Sequence, residues 1–264
     1  MKTTILLPSF KRPELLNLGL ASLLHFKPTI DFEIIVLNDG IPDGTEEVCK
    51  KYEEPLNVRY IFTGQRNLDG VIKHRVPGFA LNIGIRQAKG EFIILSCPEM
   101  YHLNNSIDII SKTVEIHRNY QKYMIIPDFI YFDQKNLLTS HLLKLGAFEE
   151  KINYTLLTSG DFGKCHVEMP YVFGVMKKHL IEIGGYDEDF TGYAGEDCDL
   201  IMRLKKIGLL YRRVGAKAIH LFHEGTGDGG FHYENPAWVH NYNLLLNRKG
   251  IIKRNVGRRW GVIE

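Results

Sequence analysis

The chain has 264 residues, 44% hydrophobic and 24% charged, enough to bury a full core and too apolar for a disordered chain. Its formal net charge of +2 is too small to mark a polyanionic partner. No apolar run reaches the ~18 residues of a membrane span, and the run in "MKTTILLPSF" is too short for a signal peptide, so a soluble, cytoplasmic protein is expected.

"TTILLPS" predicts a buried strand, and "RPELLNLGLASLL" a helix with Pro13 at its start. "FEIIVLND" predicts a second buried strand, "GTEEVCKKYE" a second helix and "VRYIFT" a third strand. "GFALNIGIRQAKG" predicts a helix ended by Gly90, and "EFIILSC" a fourth strand. Continuous apolar strands alternating with helices predict a mostly parallel sheet covered on both faces. Ligands of such sheets bind at the carboxyl edge of the strands. Here that edge is Pro8-Ser9, Asn38-Asp39-Gly40 and Cys97-Pro98-Glu99. Further on, "SIDIISKTVEIHRNY" and "CDLIMRLKKIG" predict helices, and "MIIPDFIYF", "PYVFGVMKK" and "KAIHLFHE" predict strands. Residues Gly146 to Pro170 read as a loop with some helix. One domain is expected over residues 1–240, with 241–264 as a basic appendage. From Asn241 to Ile263 there are six bases and no acid. Cys49, Cys97, Cys165 and Cys198 form no C-x-x-C pair, which argues against zinc and for free buried thiols in a reducing compartment.

Several residues at these edges carry chemistry. Asp39 can accept the N–H of a nucleobase or ribose hydroxyls, or can be a turn Asp before Gly40. Arg12 can meet a phosphate or solvate its loop. Glu99 and His102 can share a divalent metal that clamps a diphosphate, or Glu99 can start a helix in "PEMYHLNNS". His220 and His223, three apart, fall on opposite faces if the strand runs through both, so that only one points into a site. A buried structural histidine is the common alternative for each.

The densest signal is "GGYDEDFTGYAGEDCDLIMRL", Gly184 to Leu204, with six carboxylates among glycines and aromatics. Leu200, Ile201, Leu204 and Ile207 form a helix face stopped by Gly208. Glu196 and Asp197 therefore lie in the first turn, where unpaired N–H groups favour their charge. Capping accounts for one acid. It does not account for two, nor for the small residues before them, which let another molecule approach the backbone. A carboxylate held there can take a proton from a hydroxyl.

This stretch resembles the C-terminal motif of inverting GT-A glycosyltransferases, closest to the β-1,4-galactosyltransferase and chondroitin-polymerase kinds. "ILLPSFKRPELL", "FEIIVLNDG" and "ALNIGIRQAKGEFIIL" resemble the start of family 2 glycosyltransferases. The resemblance implies a GT-A, Rossmann-like α/β/α sandwich with a nucleotide-binding half at 1–100 and an acceptor half at 101–240. It implies a nucleotide-sugar donor, UDP-linked, held by Pro8, Ser9, Arg12, Asp39 and Asn82, with Asp39 reading the uracil. Asp197 becomes the catalytic base, and Tyr193, Gly195 and Glu196 contact the acceptor or the sugar. His220 becomes a ligand of Mn²⁺ or Mg²⁺, with His223 as the fallback.

Two departures stand out. The family's Asp-x-Asp is Cys97-Pro98-Glu99 here, so Glu99 must replace the metal-binding Asp, helped by His102, or the metal is lost. The Arg expected ahead of Asn82 is Leu81, which moves phosphate contacts to Lys73, His74 or Arg75. The acceptor can be a glycan or glycolipid. A DNA-modifying enzyme acting on hydroxymethylated bases is the first alternative, its tail with Tyr242 and Trp260 meeting phosphates. A non-catalytic nucleotide-sugar-binding module is the second. A nucleotidylyltransferase would need a glycine-rich, Arg-containing loop after the first strand, which "LLPSFKRPELL" lacks.

Overall fold

The computed structural model describes residues 1–64, 76–116, 118–146, 148–149, 162–164, 168–192, 194–224 and 236–263. In chain order the elements are β1 (Thr3–Ser9), α1 (Pro13–His25), β2 (Phe32–Asn38), α2 (Thr45–Leu56), β3 (Val58–Phe62), α3 (Pro77–Gln87), β4 (Phe92–Ser96), β5 (Met100–His102) and α4 (Ser106–Ile116). After a short 3₁₀ turn come β6 (Tyr123–Phe132), α5 (Leu137–Leu145), β7 (Gly163–Lys164), β8 (Val172–Met176), α6 (Lys177–Glu182), α7 (Glu196–Lys206), β9 (Leu210–His220) and α8 (Pro236–Asn247).

These strands make one sheet in the order β3-β2-β1-β4-β8-β6-β9-β5, with β7 pairing β6. Strands β1 to β4 are parallel. β8 runs against both β4 and β6, and β9 runs with β6. Two reversals restore the direction, so β1, β2, β4, β6 and β9 all end at the same edge. Asp39, Glu99 and His220 follow or end strands at that edge. The mostly parallel α/β architecture is as expected. The apolar runs of β1, β2 and β4 are buried on both faces, as helix-covered parallel strands require.

Some local expectations fail for identifiable reasons. Helix α3 stops at Gln87, before Gly90. Gly90 instead donates its N–H to Thr4 Oγ1 at 2.9 Å, and a Cβ on it would lie 2.6 Å from the Thr4 nitrogen. "PEMYHLNNS" does not open as a helix: Met100–His102 pair with Ala218–His220 of β9. Cys49 is buried, but Cys97 is half-buried and Cys198 exposed, so the thiols are not uniformly internal. Residues 150–161 and 165–167, with Cys165, lie outside the described residues, as do Lys73, His74 and Arg75.

The basic tail is not a free appendage. Trp260, 8% exposed, joins the main hydrophobic core and carries the Arg86 guanidinium 4.5 Å above its ring. Arg248 bridges Asp187 and Asp189 at 2.6 Å each, and Arg258 reaches Asp189 at 2.7 Å. Arg254 is buried between Asp187 and Asp199. Half of the tail's six bases thus neutralise acids of the Gly184–Leu204 stretch. Among the described residues, no helix is long and apolar enough to cross a membrane.

Candidate active site

Three groups of side chains gather at or beside the carboxyl edge. At the first strands, the Asp39 N–H donates to Ser9 O at 2.8 Å, and Thr63 Oγ1 donates to Asp39 Oδ1 at 3.2 Å. Ser9 Oγ lies 3.2 Å from Thr45 Oγ1 at the start of α2. Pro8, Ser9 and Asp39 are thus held together where β1, β2 and β3 end.

The second group centres on Glu99. His220 Nε2 lies 3.4 Å and His223 Nε2 3.1 Å from Glu99 Oε1, and Arg12 Nη1 donates to the same oxygen at 3.1 Å. Both histidines reach the site, contrary to the strand-parity argument, because β9 ends at His220 and the chain turns before His223. The expected helper, His102, is buried at Ser106, and among the described residues the group of possible ligands is Glu99, His220 and His223. Burial pushes the Glu99 carboxyl up, but when both rings are protonated their hydrogen bonds, with the charges of His220 and Arg12, outweigh it and hold it well below the usual carboxylate range.

The tautomers decide what this group can hold. His220 Nδ1 meets Leu221 O at 3.1 Å and His223 Nδ1 meets Glu224 O at 3.0 Å. A carbonyl only accepts, so each Nδ1 carries the proton. A neutral ring then turns its Nε2 lone pair toward Glu99. Two lone pairs facing a carboxylate repel unless a cation lies between them or the rings are protonated. The three ligand atoms lie within 4.8 Å of one another, and Glu99 Oε2 is buried without a hydrogen-bond partner. These donors fit a divalent ion, with backbone carbonyls orienting both imidazoles. A cavity of about 640 Å³ opens beside the group, lined in part by Phe10, Lys11, Arg12, Leu143, Phe222 and His223.

The third group is at the start of α7. Gly195 caps the helix at φ +100°, and a Cβ there would meet Phe190 Cε1 at 2.9 Å. Its small size therefore serves internal packing and the turn. Of the six acids between Gly184 and Leu204, Asp187, Asp189 and Asp199 face arginines. Glu188 accepts from Asn82 Nδ2 at 3.0 Å and from the Gly261 N–H at 2.8 Å. Glu196 and Asp197 have no cationic partner among the described residues. Glu196 is 6% exposed, and its Oε2 has no hydrogen-bond partner. Asp197 Oδ1 accepts the Tyr186 hydroxyl at 3.1 Å.

Burial, then the Asp197 charge, raises the Glu196 carboxyl, while its own backbone N–H opposes. Burial also raises Asp197, against the Tyr186 hydrogen bond. Burial followed by the charges of Asp197 and Glu196 pushes the Tyr186 phenol well above its usual value, so it remains a donor. The Cys97 thiol, two residues before Glu99, adds to that effect.

One consequence concerns stability. Glu196 binds its proton more tightly folded than unfolded. Stability is therefore lost as pH rises from the ordinary glutamate value through the raised one, and the loss persists above it. Glu196→Gln removes that loss. At pH 8 the variant should melt above the wild type, by about 2–4 °C per kcal/mol recovered, and the gain should vanish near pH 4. Equal melting curves at pH 8 would contradict it.

Asn82 stands apart from the edge. Its Nδ2 donates to Tyr186 O at 2.9 Å and its Oδ1 accepts the Tyr186 N–H at 2.7 Å, so it pins the Gly-Gly-Tyr turn to α3. Gly78 shares that duty: a Cβ on it would lie 2.6 Å from the Tyr186 ring. Tyr193 lies outside the described residues. Sequence reasoning passed over Tyr186, whose signal was the Gly184-Gly185-Tyr186 turn, and the Arg12–Glu99 pair, which no local pattern announces.

Similarity to known proteins identifies the family. The profile described as glycosyl transferase family 2 matches residues 4–184, more than half of the chain. One described as the N-terminal domain of galactosyltransferase matches residues 164–224. The chondroitin synthase of Escherichia coli is 25% identical over 250 residues, which cover 82% of this chain and 34% of the synthase. The chain thus spans about a third of that relative's length. Among solved structures, GalNAc-T7 with UDP, GalNAc and Mn²⁺ superposes with a TM-score of 0.62 at 14% identity, covering 93% of this chain and 48% of that one. S. aureus TarS 1-349 in complex with UDP-GlcNAc gives 0.60 at 16% identity, covering 93% and 65%. Both likenesses are of fold.

Proposed function

Because the chain belongs to glycosyl transferase family 2 and is a glycosyltransferase, we propose that it transfers a sugar from a UDP donor to an acceptor hydroxyl with inversion, Asp197 acting as base. The observation that carries this reading is the charge pattern of Gly184–Leu204. Three of its six acids face arginines and Glu188 accepts two hydrogen bonds, while Glu196 and Asp197 are held at a helix start with no cationic partner among the described residues. Burying Glu196 beside a half-buried Asp197 is costly, and proton transfer gives a reason for it. Asp197 takes the acceptor proton as the hydroxyl attacks the anomeric carbon, and the diphosphate leaves from the opposite face. Tyr186 orients the carboxylate, and Glu196 holds the acceptor or the sugar. Asp39 reads the base, and the Pro8–Arg12 loop carries the nucleotide.

Glu99, His220 and His223 would hold a divalent ion. When bound, such an ion neutralises charge developing on the leaving diphosphate. Two imidazoles favour Mn²⁺ over Mg²⁺, which prefers an all-oxygen shell. Arg12, which donates to Glu99, would be within reach of a phosphate at the same edge. With three tail arginines paired internally and Trp260 buried, a glycan or glycolipid acceptor is better supported than DNA.

A donor screen tests the reading. UDP-sugars should raise the melting temperature, more so with Mn²⁺, and the product of the active donor should have inverted anomeric configuration by NMR. A retained configuration would overturn the mechanism.

A further inference from the structure

Arg254 lies beyond both matched stretches, which end at residues 184 and 224. It is 3% exposed. Its Nη2 donates to Asp199 Oδ1 at 2.6 Å, its Nε pairs by charge with Asp187 Oδ2 at 2.8 Å without hydrogen-bond alignment, and its backbone N–H donates to Ile183 O at 2.9 Å. Asp187 directly follows Tyr186. Asp199 lies two residues past Asp197 on α7. One planar guanidinium therefore ties together the two segments that carry the donor and the acceptor of the Tyr186–Asp197 hydrogen bond.

Neighbouring bonds brace the same joint. Arg203 Nε holds Asp199 Oδ2 at 2.6 Å, and its Nη1 donates to Ile183 O at 3.0 Å and Gly185 O at 2.8 Å. Asn255 Nδ2, one residue after Arg254, donates to Gly184 O at 2.8 Å and Tyr186 O at 2.7 Å. A buried ionic network of this kind is weak evidence for stability, since desolvation offsets the attraction. It does fix geometry, and a rigid fork does so where a lysine cannot span both carboxylates.

We propose that Arg254 is a positioning residue of the transfer site, holding Tyr186 against Asp197 and so setting how tightly that carboxylate binds a proton. Its effect on turnover rests on the reading of Asp197 as base; the geometric claim does not. Among the described residues, the titratable groups that face this pair are the Glu196 carboxylate and the Cys97 thiol, which act on Tyr186, and the Cys198 thiol, on which the Asp197 charge acts.

The test needs no substrate. In protein labelled with ¹³C at aspartate Cγ, the Asp197 signal is identified by its loss in Asp197→Asn and followed against pH. Arg254→Lys should raise the Asp197 midpoint by about one pH unit, the equivalent of one such hydrogen bond. Tyr186→Phe should do the same, and the double variant should rise no further than Tyr186→Phe alone. A merely structural arginine predicts a lower melting temperature with an unmoved midpoint, and that result overturns the proposal. So does a double variant that adds the full Arg254→Lys increment. Should Arg254→Lys fail to fold, Asp187→Asn severs the other arm of the clamp and is read the same way. If the midpoint moves but Asp197→Asn still turns over normally, the positioning role stands and the reading of Asp197 as base falls.

Discussion

Asp197→Asn should lower turnover by about a hundredfold to ten-thousandfold, the range for losing a general base, with nucleotide affinity nearly unchanged. The amide keeps the shape and still accepts the Tyr186 hydroxyl through its oxygen. It cannot take the acceptor's proton. The pH dependence of the wild type should carry the same signature. Burial raises Asp197 more than Tyr186 lowers it, and the adjacent Glu196 is raised as well, by burial and by the Asp197 charge. Turnover should therefore fall on the acid side at a pH above the ordinary carboxylate range, because the base is lost as pH drops through the raised value. Calorimetry with UDP and initial rates across pH measure both effects. Near wild-type turnover in Asp197→Asn, or an acid limb at the pH of a free aspartate, would remove Asp197 from the mechanism.

Glu99→Ala should weaken Mn²⁺ binding by more than about a hundredfold, since losing a group that merely orients a ligand already costs ten- to a hundredfold. Turnover should fall by about 10²–10³, the cost of losing one element of transition-state charge stabilisation. Glu99 is the anionic member of its group, and without it His220, His223 and Arg12 face one another with no counter-charge. Free Mn²⁺ counted by electron paramagnetic resonance, with turnover before and after EDTA, separates the readings. Wild-type Mn²⁺ affinity in the variant would sink the site. Turnover indifferent to EDTA but abolished by Arg12→Ala would make the guanidinium the cation.

Local chemistry decided much of this protein before any tertiary contact. The apolar runs of β1, β2 and β4 could only be strands covered on both faces, and that placed Asp39 and Glu99 at one edge. The apolar face of Leu200, Ile201 and Leu204 placed Glu196 and Asp197 in a first helical turn. What the sequence could not decide was which charges would meet. Residues 241–263 read as a free basic tail because their partners, Asp187, Asp189 and Asp199, lie more than fifty positions earlier, and pairing over that distance is set by the fold. The two histidines read as facing opposite ways because alternation holds only while the strand continues, and β9 stops at His220. Asn82 read as a nucleotide contact, yet its amide is taken up by the Tyr186 turn. Side-chain periodicity is a property of the local backbone and is visible in the residues themselves. Neutralisation of a charge depends on what packs against it. Only the folded chain, by matching four of the six acids of Gly184–Leu204, left Glu196 and Asp197 as the pair with no cationic partner among the described residues.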